Sequence, residues 1–234
     1  MDVFDVPDTP ETGETPGRSS RTGADAPAHV RQQRLVVLVS GSGSNLQAIL
    51  DASAQGQLPA EVVAVVSNRP DVFALQRADR AGVPAVHVGV HPGEARADYD
   101  ARLADVVAGF DPDLVVLAGW MRILTMSFLG WFPDRVVNLH PALPGELPGT
   151  RAIERAWDEA VAGNRTSTGV MVHLVPDEDV DAGPVLGTAR VDIDVDTGYE
   201  AFDAAAHAAE HRLLVDTLTQ LCTTRAHNRT EVSA

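Results

Sequence analysis

An amide and an imidazole stand two residues apart in Val136-Val137-Asn138-Leu139-His140-Pro141. Strand side chains alternate between faces, so Asn138 and His140 project to the same side, and Pro141 stops regular pairing just beyond them. An amide donor beside an imidazole can bind a developing oxyanion and exchange a proton near neutral pH, the two demands of acyl transfer to an amine. The same residues also suit a strand-end turn with a satisfied core histidine. A second candidate is the acidic turn Asp177-Glu178-Asp179-Val180-Asp181-Ala182-Gly183-Pro184. Acidic turns are usually just solvated, but Asp181 stands before Ala-Gly-Pro, a rigid and sharply turned backbone. Where its carboxylate meets His140, it is expected to raise the imidazole pKa and hold the ring in place.

A third constellation is Ser40-Gly41-Ser42-Gly43-Ser44-Asn45, between the apolar run Leu35–Val39 and the helical pattern Leu46–Leu50. Glycines at a strand–helix junction let backbone N–H groups approach an anion at the positive end of the helix dipole. Ser44 and Asn45 then add side-chain donors or cap the helix. A tight turn with an N-cap and no ligand fits the same residues. A dinucleotide fingerprint begins similarly, yet Leu46 stands where its third glycine belongs, and the second apolar run ends in Ser67-Asn68-Arg69 without an acid for the ribose. Arg69 would suit a 2′-phosphate, which keeps an NADP-dependent reductase open, as well as a non-catalytic nucleotide-binding module.

The elements that must carry these residues alternate. Short β-branched runs at Leu35–Val39, Glu61–Val66, Ala85–Val88, Leu114–Leu117 and Val136–Leu139 are separated by segments of helical length. Strands that are apolar without interruption are buried on both faces, so the pattern predicts an α/β fold with a doubly wound, mostly parallel sheet and helices on both faces. Gly169–Val175 and Val185–Val191 lie close together and predict an antiparallel C-terminal extension. A long helix is expected at Tyr199–Leu221, with Phe202, Ala206, Ala209, Leu213, Leu214, Leu218 and Leu221 as its apolar stripe.

Residues 1–33 are rich in Pro, Thr, Gly, Ser and Asp and are expected to form a disordered leader; 34–222 form the single catalytic domain, and 223–234 a flexible tail. Eighteen Lys and Arg against 33 Asp and Glu give a net charge of -15, so neither nucleic acid nor an anionic membrane is an expected partner. Cys222 is the only cysteine, which fits a reducing compartment. With no signal-like start and no apolar run long enough for a bilayer, the chain is expected in the cytoplasm.

Taken together, Ser40-Gly41-Ser42-Gly43-Ser44-Asn45-Leu46-Gln47, Leu117-Ala118-Gly119-Trp120-Met121-Arg122-Ile123-Leu124, Asn138-Leu139-His140-Pro141 and Asp179-Val180-Asp181-Ala182-Gly183-Pro184 resemble the phosphoribosylglycinamide formyltransferase family of purine biosynthesis. Order and spacing agree from about Arg34 to Leu221. The resemblance implies transfer of the formyl group of 10-formyltetrahydrofolate to the amine of 5-phosphoribosylglycinamide. It implies Asn138, His140 and Asp181 as the catalytic trio, Gly43, Ser44 and Asn45 at the substrate phosphate, and Glu210 at the ribose hydroxyls. Trp120, Arg122, Ile123 and Leu124, with the backbone of the 175–181 loop including Val175 and Asp177, would bind folate. It further implies no metal and no tightly bound cofactor, 10-formyltetrahydrofolate being a co-substrate, in an enzyme that is a monomer or homodimer acting on small molecules.

Two related activities, hydrolysis of formyltetrahydrofolate and formylation of transfer RNA, would call for an additional domain or a basic surface. By pattern alone, Glu210 between His207 and His211 reads as a solvated helix face, Ile123 and Leu124 read as core, and Arg122 suits the acidic tail of a folate. One stretch departs from the family. Many members have His-Pro-Ser-Leu-Leu-Pro and then a basic and an aromatic residue, whereas this chain has His140-Pro141-Ala142-Leu143-Pro144-Gly145-Glu146-Leu147-Pro148-Gly149, with Glu146 in place of a cation.

Overall fold

The computed structural model describes residues 32–232, with side chains to His227. Seven strands form one sheet: β1 (Gln33–Val39), β2 (Ala60–Ser67), β3 (Ala85–His87), β4 (Leu114–Leu117), β5 (Val136–His140), β6 (Ser167–Leu174) and β7 (Val185–Asp192). Their spatial order is β3-β2-β1-β4-β5-β6-β7. The first five pair in parallel; β5–β6 and β6–β7 are antiparallel. Helices α1 (Ser44–Ala54), α2 (Phe73–Arg80), α3 (Arg96–Ala108), α4 (Met126–Leu129), α5 (Ala152–Val161) and α6 (Tyr199–Val232) cover the sheet. The architecture is the expected doubly wound α/β sheet with an antiparallel C-terminal extension.

Strand β1 shows why. Leu35, Val37 and Val39 pack with Leu46 and Ile49 of α1 and Leu214 and Leu218 of α6. Val36 and Leu38 join Tyr99, Leu103 and Val107 of α3 and Phe128 beyond β4 on the opposite face. Alternate residues thus face two apolar layers, which is how an uninterrupted apolar strand avoids water. A third cluster, built from α5, β6, β7 and the start of α6, includes Ile153, Ala156, Val170, Phe202, Ala206 and Ala209. The apolar stripe of α6 therefore bridges two clusters.

The winding reverses between β1 and β4, and a crevice opens at the carboxyl ends of such neighbouring strands. The glycine loop leaves β1 there, and the Gly119–Leu124 segment leaves β4 beside it. Ser40 joins them: its N–H donates to the Gly119 carbonyl at 3.1 Å, and its Oγ accepts from the Met121 N–H at 2.9 Å.

Two boundaries differ from expectation. Gln33, assigned to the leader, is already in β1 and is 1% exposed. The segment 223–232, expected as a loose tail, continues α6. Thr223 and Thr224 donate to the Thr219 and Gln220 carbonyls, and Arg225 donates to the Asp134 carbonyl at 2.5 Å. A helix nucleated by packing extends through polar residues at little cost, so no apolar period marks these turns. The leader expectation for residues 1–31 lies outside the described residues. Among the described residues no helix is long and apolar enough to cross a membrane.

The connection from β6 to β7 returns tightly. Leu174 N–H donates to the Pro184 carbonyl at 2.9 Å, and a Cβ on Gly183 would run into the Leu174 carbonyl oxygen and lie 2.9 Å from Pro176 Cδ. Gly183→Ala is expected to destabilise the protein by about 1–3 kcal/mol through this clash. Urea unfolding checks it, and an unchanged midpoint would show that the turn rearranges freely.

Candidate active site

Strand β5 ends with Asn138 and His140 on one face, and β6 lies antiparallel beside it with His173 directly opposite Asn138. The 175–184 connection brings Asp181 back over this pair. His140 Nδ1 lies 3.2 Å from Asp181 Oδ2, and Asn138 Nδ2 donates to Asp181 Oδ1 at 3.2 Å. The three residues that the sequence placed together are together. Asp181 has φ of 54°, a left-handed backbone that aspartate tolerates better than most residues.

Two further contacts complete the cluster. His173 Nδ1 donates to the Leu174 carbonyl at 2.9 Å, and its Nε2 lies 3.0 Å from Asn138 Nδ2 and 3.7 Å from Asp181 Oδ1. The Asn138 amide thus stands between the His173 ring and the Asp181 carboxylate. The Gly149 N–H donates to Asp181 Oδ2 at 2.9 Å. Sequence reasoning missed both groups. His173 in Met171-Val172-His173-Leu174 alternates with buried apolar residues, but its meeting with Asn138 depends on the register of two strands.

His140 Nε2 lies 3.1 Å from the Leu147 carbonyl oxygen. Both ring nitrogens therefore face acceptors, and only the imidazolium can donate to both. Burial opposes that charge. It lowers the His140 pKa more than Asp181 and the backbone carbonyls of Leu147 and Glu146 raise it, so the net shift is downward from 6.5. The expectation of a raised imidazole is overturned because His140 is only 3% exposed. For Asp181, burial pushes the pKa up, but the His173 ring, the Gly149 N–H and the charge on His140 outweigh it, and the carboxyl stays below its ordinary range.

Gly43, Ser44 and Asn45 sit where β1 turns into α1. Gly43 has φ of 72°, and a Cβ there would lie 2.7 Å from Ala74 Cβ. No side chain caps α1, so its first N–H groups are presented as the glycine loop predicts for an anion. Asn45 is 9% exposed, with Oδ1 unpartnered. Arg77 of α2 clamps the loop, donating to the Ser42 carbonyl and to Gln47 Oε1, both at 2.9 Å. Glu210 is 4% exposed rather than on a solvated face, and His207 Nδ1 lies 2.6 Å from its Oε2. That contact raises the His207 pKa.

Residues 33–218 match the family model described as formyl transferase. The chain belongs to the formyl transferase family. A phosphoribosylglycinamide formyltransferase of Schizosaccharomyces pombe is 44% identical over 201 residues, covering 81% of this chain and 97% of that one. The protein of that name in Escherichia coli is 37% identical over 179 residues, covering 76% of this chain and 82% of the other. Glycinamide ribonucleotide transformylase 1 from Symbiobacterium toebii superposes with a TM-score of 0.77 at 36% identity, over 83% of this chain and 89% of that chain.

In this formyl transferase the predicted folate residues occupy the turn after β4 and the 175–181 loop. Trp120 and Leu124 are buried, and Ile123 is 45% exposed rather than core. Arg122 lies over the Tyr99 ring, 4.8 Å from its centroid. Val175 N–H donates to the Val136 carbonyl at 2.9 Å, while Asp177 is exposed and accepts from the Asp179 N–H at 3.0 Å. In the departing stretch, Glu146 turns to Arg165 at 2.6 Å, and Arg165 also holds Glu159 at 2.7 Å. One guanidinium thus holds both carboxylates. A surface cavity of 480 Å³, lined by Arg34, Glu61 and Pro84 among others, contains none of the predicted site residues.

A histidine whose folded pKa is depressed binds its proton more tightly in the unfolded chain, so it subtracts stability as pH falls below 6.5. His140→Gln is therefore expected to flatten the decline of stability on acidification just below that value, read from urea midpoints across pH. An unchanged slope would mean that His140 titrates normally.

Proposed function

We propose that this formyl transferase transfers the formyl group of 10-formyltetrahydrofolate to the amine of 5-phosphoribosylglycinamide, giving formylglycinamide ribonucleotide and tetrahydrofolate in de novo purine biosynthesis. The observation that carries the reading is the convergence of Asn138, His140 and Asp181 at the sheet end that also presents the uncapped N-terminus of α1. The names of the relatives support the same substrates. Two small molecules suffice as partners of a monomer or homodimer, and a reducing cytoplasm fits the single cysteine.

The substrate amine attacks the formyl carbon and charge develops on the formyl oxygen. Asn138 shifts one N–H from Asp181 Oδ1 to that oxyanion, and His140, in the minority of molecules that hold it protonated, adds positive charge beside it. Asp181, kept ionised by its surroundings, orients His140 and accepts the proton leaving the amine. As the tetrahedral intermediate collapses, the bond from carbon to the folate nitrogen breaks and the proton passes to that nitrogen. His173 and Gly149 hold Asn138 and Asp181 in register. Gly43, Ser44 and Asn45 bind the substrate phosphate with α1 backbone N–H groups, and Glu210 binds the ribose hydroxyls. Trp120, Arg122, Ile123 and Leu124, with Val175 and Asp177, line the folate side.

Purified protein is expected to consume 10-formyltetrahydrofolate, followed by absorbance, only when glycinamide ribonucleotide is present. Equal consumption without it would mean hydrolysis and refute transfer. Loss of an oxyanion donor costs about 10²- to 10³-fold in turnover, so Asn138→Ala should fall in that range with the melting temperature retained. His173→Ala removes one partner of Asn138 and should lower turnover by about tenfold, as expected for one buried hydrogen bond. Wild-type turnover in that variant would detach His173 from the mechanism.

A further inference from the structure

The segment between Gly119 and Thr125 runs outside regular structure, and its fixed points lie at its ends. Ser40 holds the beginning. At the other end, two successive N–H groups are taken by carboxylates from different parts of the chain. Thr125 N–H donates to Asp100 Oδ2 of α3 at 2.6 Å, and Met126 N–H donates to Glu178 Oε1 at 3.1 Å. Glu178 stands three residues before Asp181 on the same connection and also pairs with Arg96 of α3 at 3.3 Å.

Asp100 is fully buried. Its Oδ1, together with Trp120 Nε1, Arg122 Nε and Thr125 Oγ1, is buried without a partner. A buried carboxylate with so few bonds is costly and gives no gain in simple packing. Its one short bond goes to the N–H that ends the Trp120–Leu124 stretch. Glu178 is different: it is half exposed, and what it joins is the Asp181 connection to that same stretch.

We infer that Asp100 and Glu178 are a pair of positioning residues: Asp100 sets the segment that receives the folate, and Glu178 ties that segment to the connection carrying Asp181, so that seating of the folate and placement of the Asp181 carboxylate are coupled. The inference rests on the proposed folate-dependent reaction. It assigns the two carboxylates different kinetic signatures. Asp100 acts on the folate segment alone, whereas Glu178 acts on both ends of its link.

The test is steady-state kinetics with each substrate varied, plus quenching of tryptophan fluorescence by tetrahydrofolate in the absence of the ribonucleotide. A charge-assisted hydrogen bond is worth enough that Asp100→Ala should raise the KM for 10-formyltetrahydrofolate by about tenfold or more, with kcat and the KM for the ribonucleotide near wild type. Asp100→Asn keeps an acceptor for Thr125 N–H and should recover most of that loss. The half-exposed Glu178→Ala should raise the same KM by only about threefold but also lower kcat, and Glu178→Gln should restore both. Should Asp100→Ala fail to fold, Asp100→Asn and the Glu178 pair decide the matter.

Equal changes in both KM values, an Asn variant no better than Ala, or a Glu178→Ala kcat at the wild-type level would overturn the coupling. Failure of the proposed function looks different. In that case wild-type protein itself neither binds tetrahydrofolate nor consumes its formyl derivative.

Discussion

The Asp181 carboxylate gathers groups from three separate pieces of chain: Asn138 and His140 from β5, His173 from β6, and the Gly149 N–H from the loop that follows β5. A carboxylate largely withdrawn from water must be surrounded by donors or become protonated, and here the donors prevail. Each of them is in turn fixed by that requirement. Asn138 is oriented because the His173 ring and the Asp181 carboxylate are both in place, and the His140 ring is held between Asp181 and the Leu147 carbonyl. The positive φ of Asp181 and the close approach of Gly183 to Leu174 allow the connection to turn back far enough for these bonds to form. Strain in the connection and polar satisfaction at the sheet end are two sides of one balance.

That cluster lies next to a second constraint, the reversal of winding between β1 and β4. The two loops leaving these strands must diverge, and Ser40 keeps them in contact at their bases. One loop offers the backbone donors of α1, suited to an anion. The other carries buried Trp120, exposed Ile123 and Arg122, whose guanidinium lies over the Tyr99 ring. Asn138 and His140 on β5 stand beside this crevice because β5 is the next strand in the sheet. A transfer reaction needs two ligands to meet at a third place, and this strand order sets two loops and a strand end side by side.

The order of elements was legible because β1, β2 and β4 are apolar on both faces, which only a covered sheet permits. Asn138 and His140 were legible because alternation fixes the face of neighbours on a single strand. Asp181 was singled out by Ala-Gly-Pro after it, and its catalytic role was implied by resemblance. What escaped the sequence depended on contacts between distant segments. His173 meets Asn138 only through the antiparallel register, Glu210 is buried by the packing of α6, and the direction of the His140 shift depends on how much water the fold removes. The last turns of α6 escaped for another reason: their polar residues carry no period, and the helix continues by propagation from the packed part.

An acidic chain that is to bind a phosphorylated substrate poses an electrostatic problem, and the structure resolves it locally. The net charge of -15 belongs to the whole surface, and at physiological ionic strength charges more than about 8 Å away are largely screened. What a phosphate would meet at the glycine loop is the uncapped end of α1 with Arg77 alongside. Two acids have partners of their own: Glu210 is held by His207, whose pKa it raises, and Glu146 is turned onto Arg165. Glu146, which stands where a basic residue was expected, is drawn onto Arg165, only 16% exposed, which also binds Glu159. The charge of the surface as a whole therefore does not set what an anion meets at the glycine loop, where the fold presents the uncapped end of α1 and the Arg77 side chain.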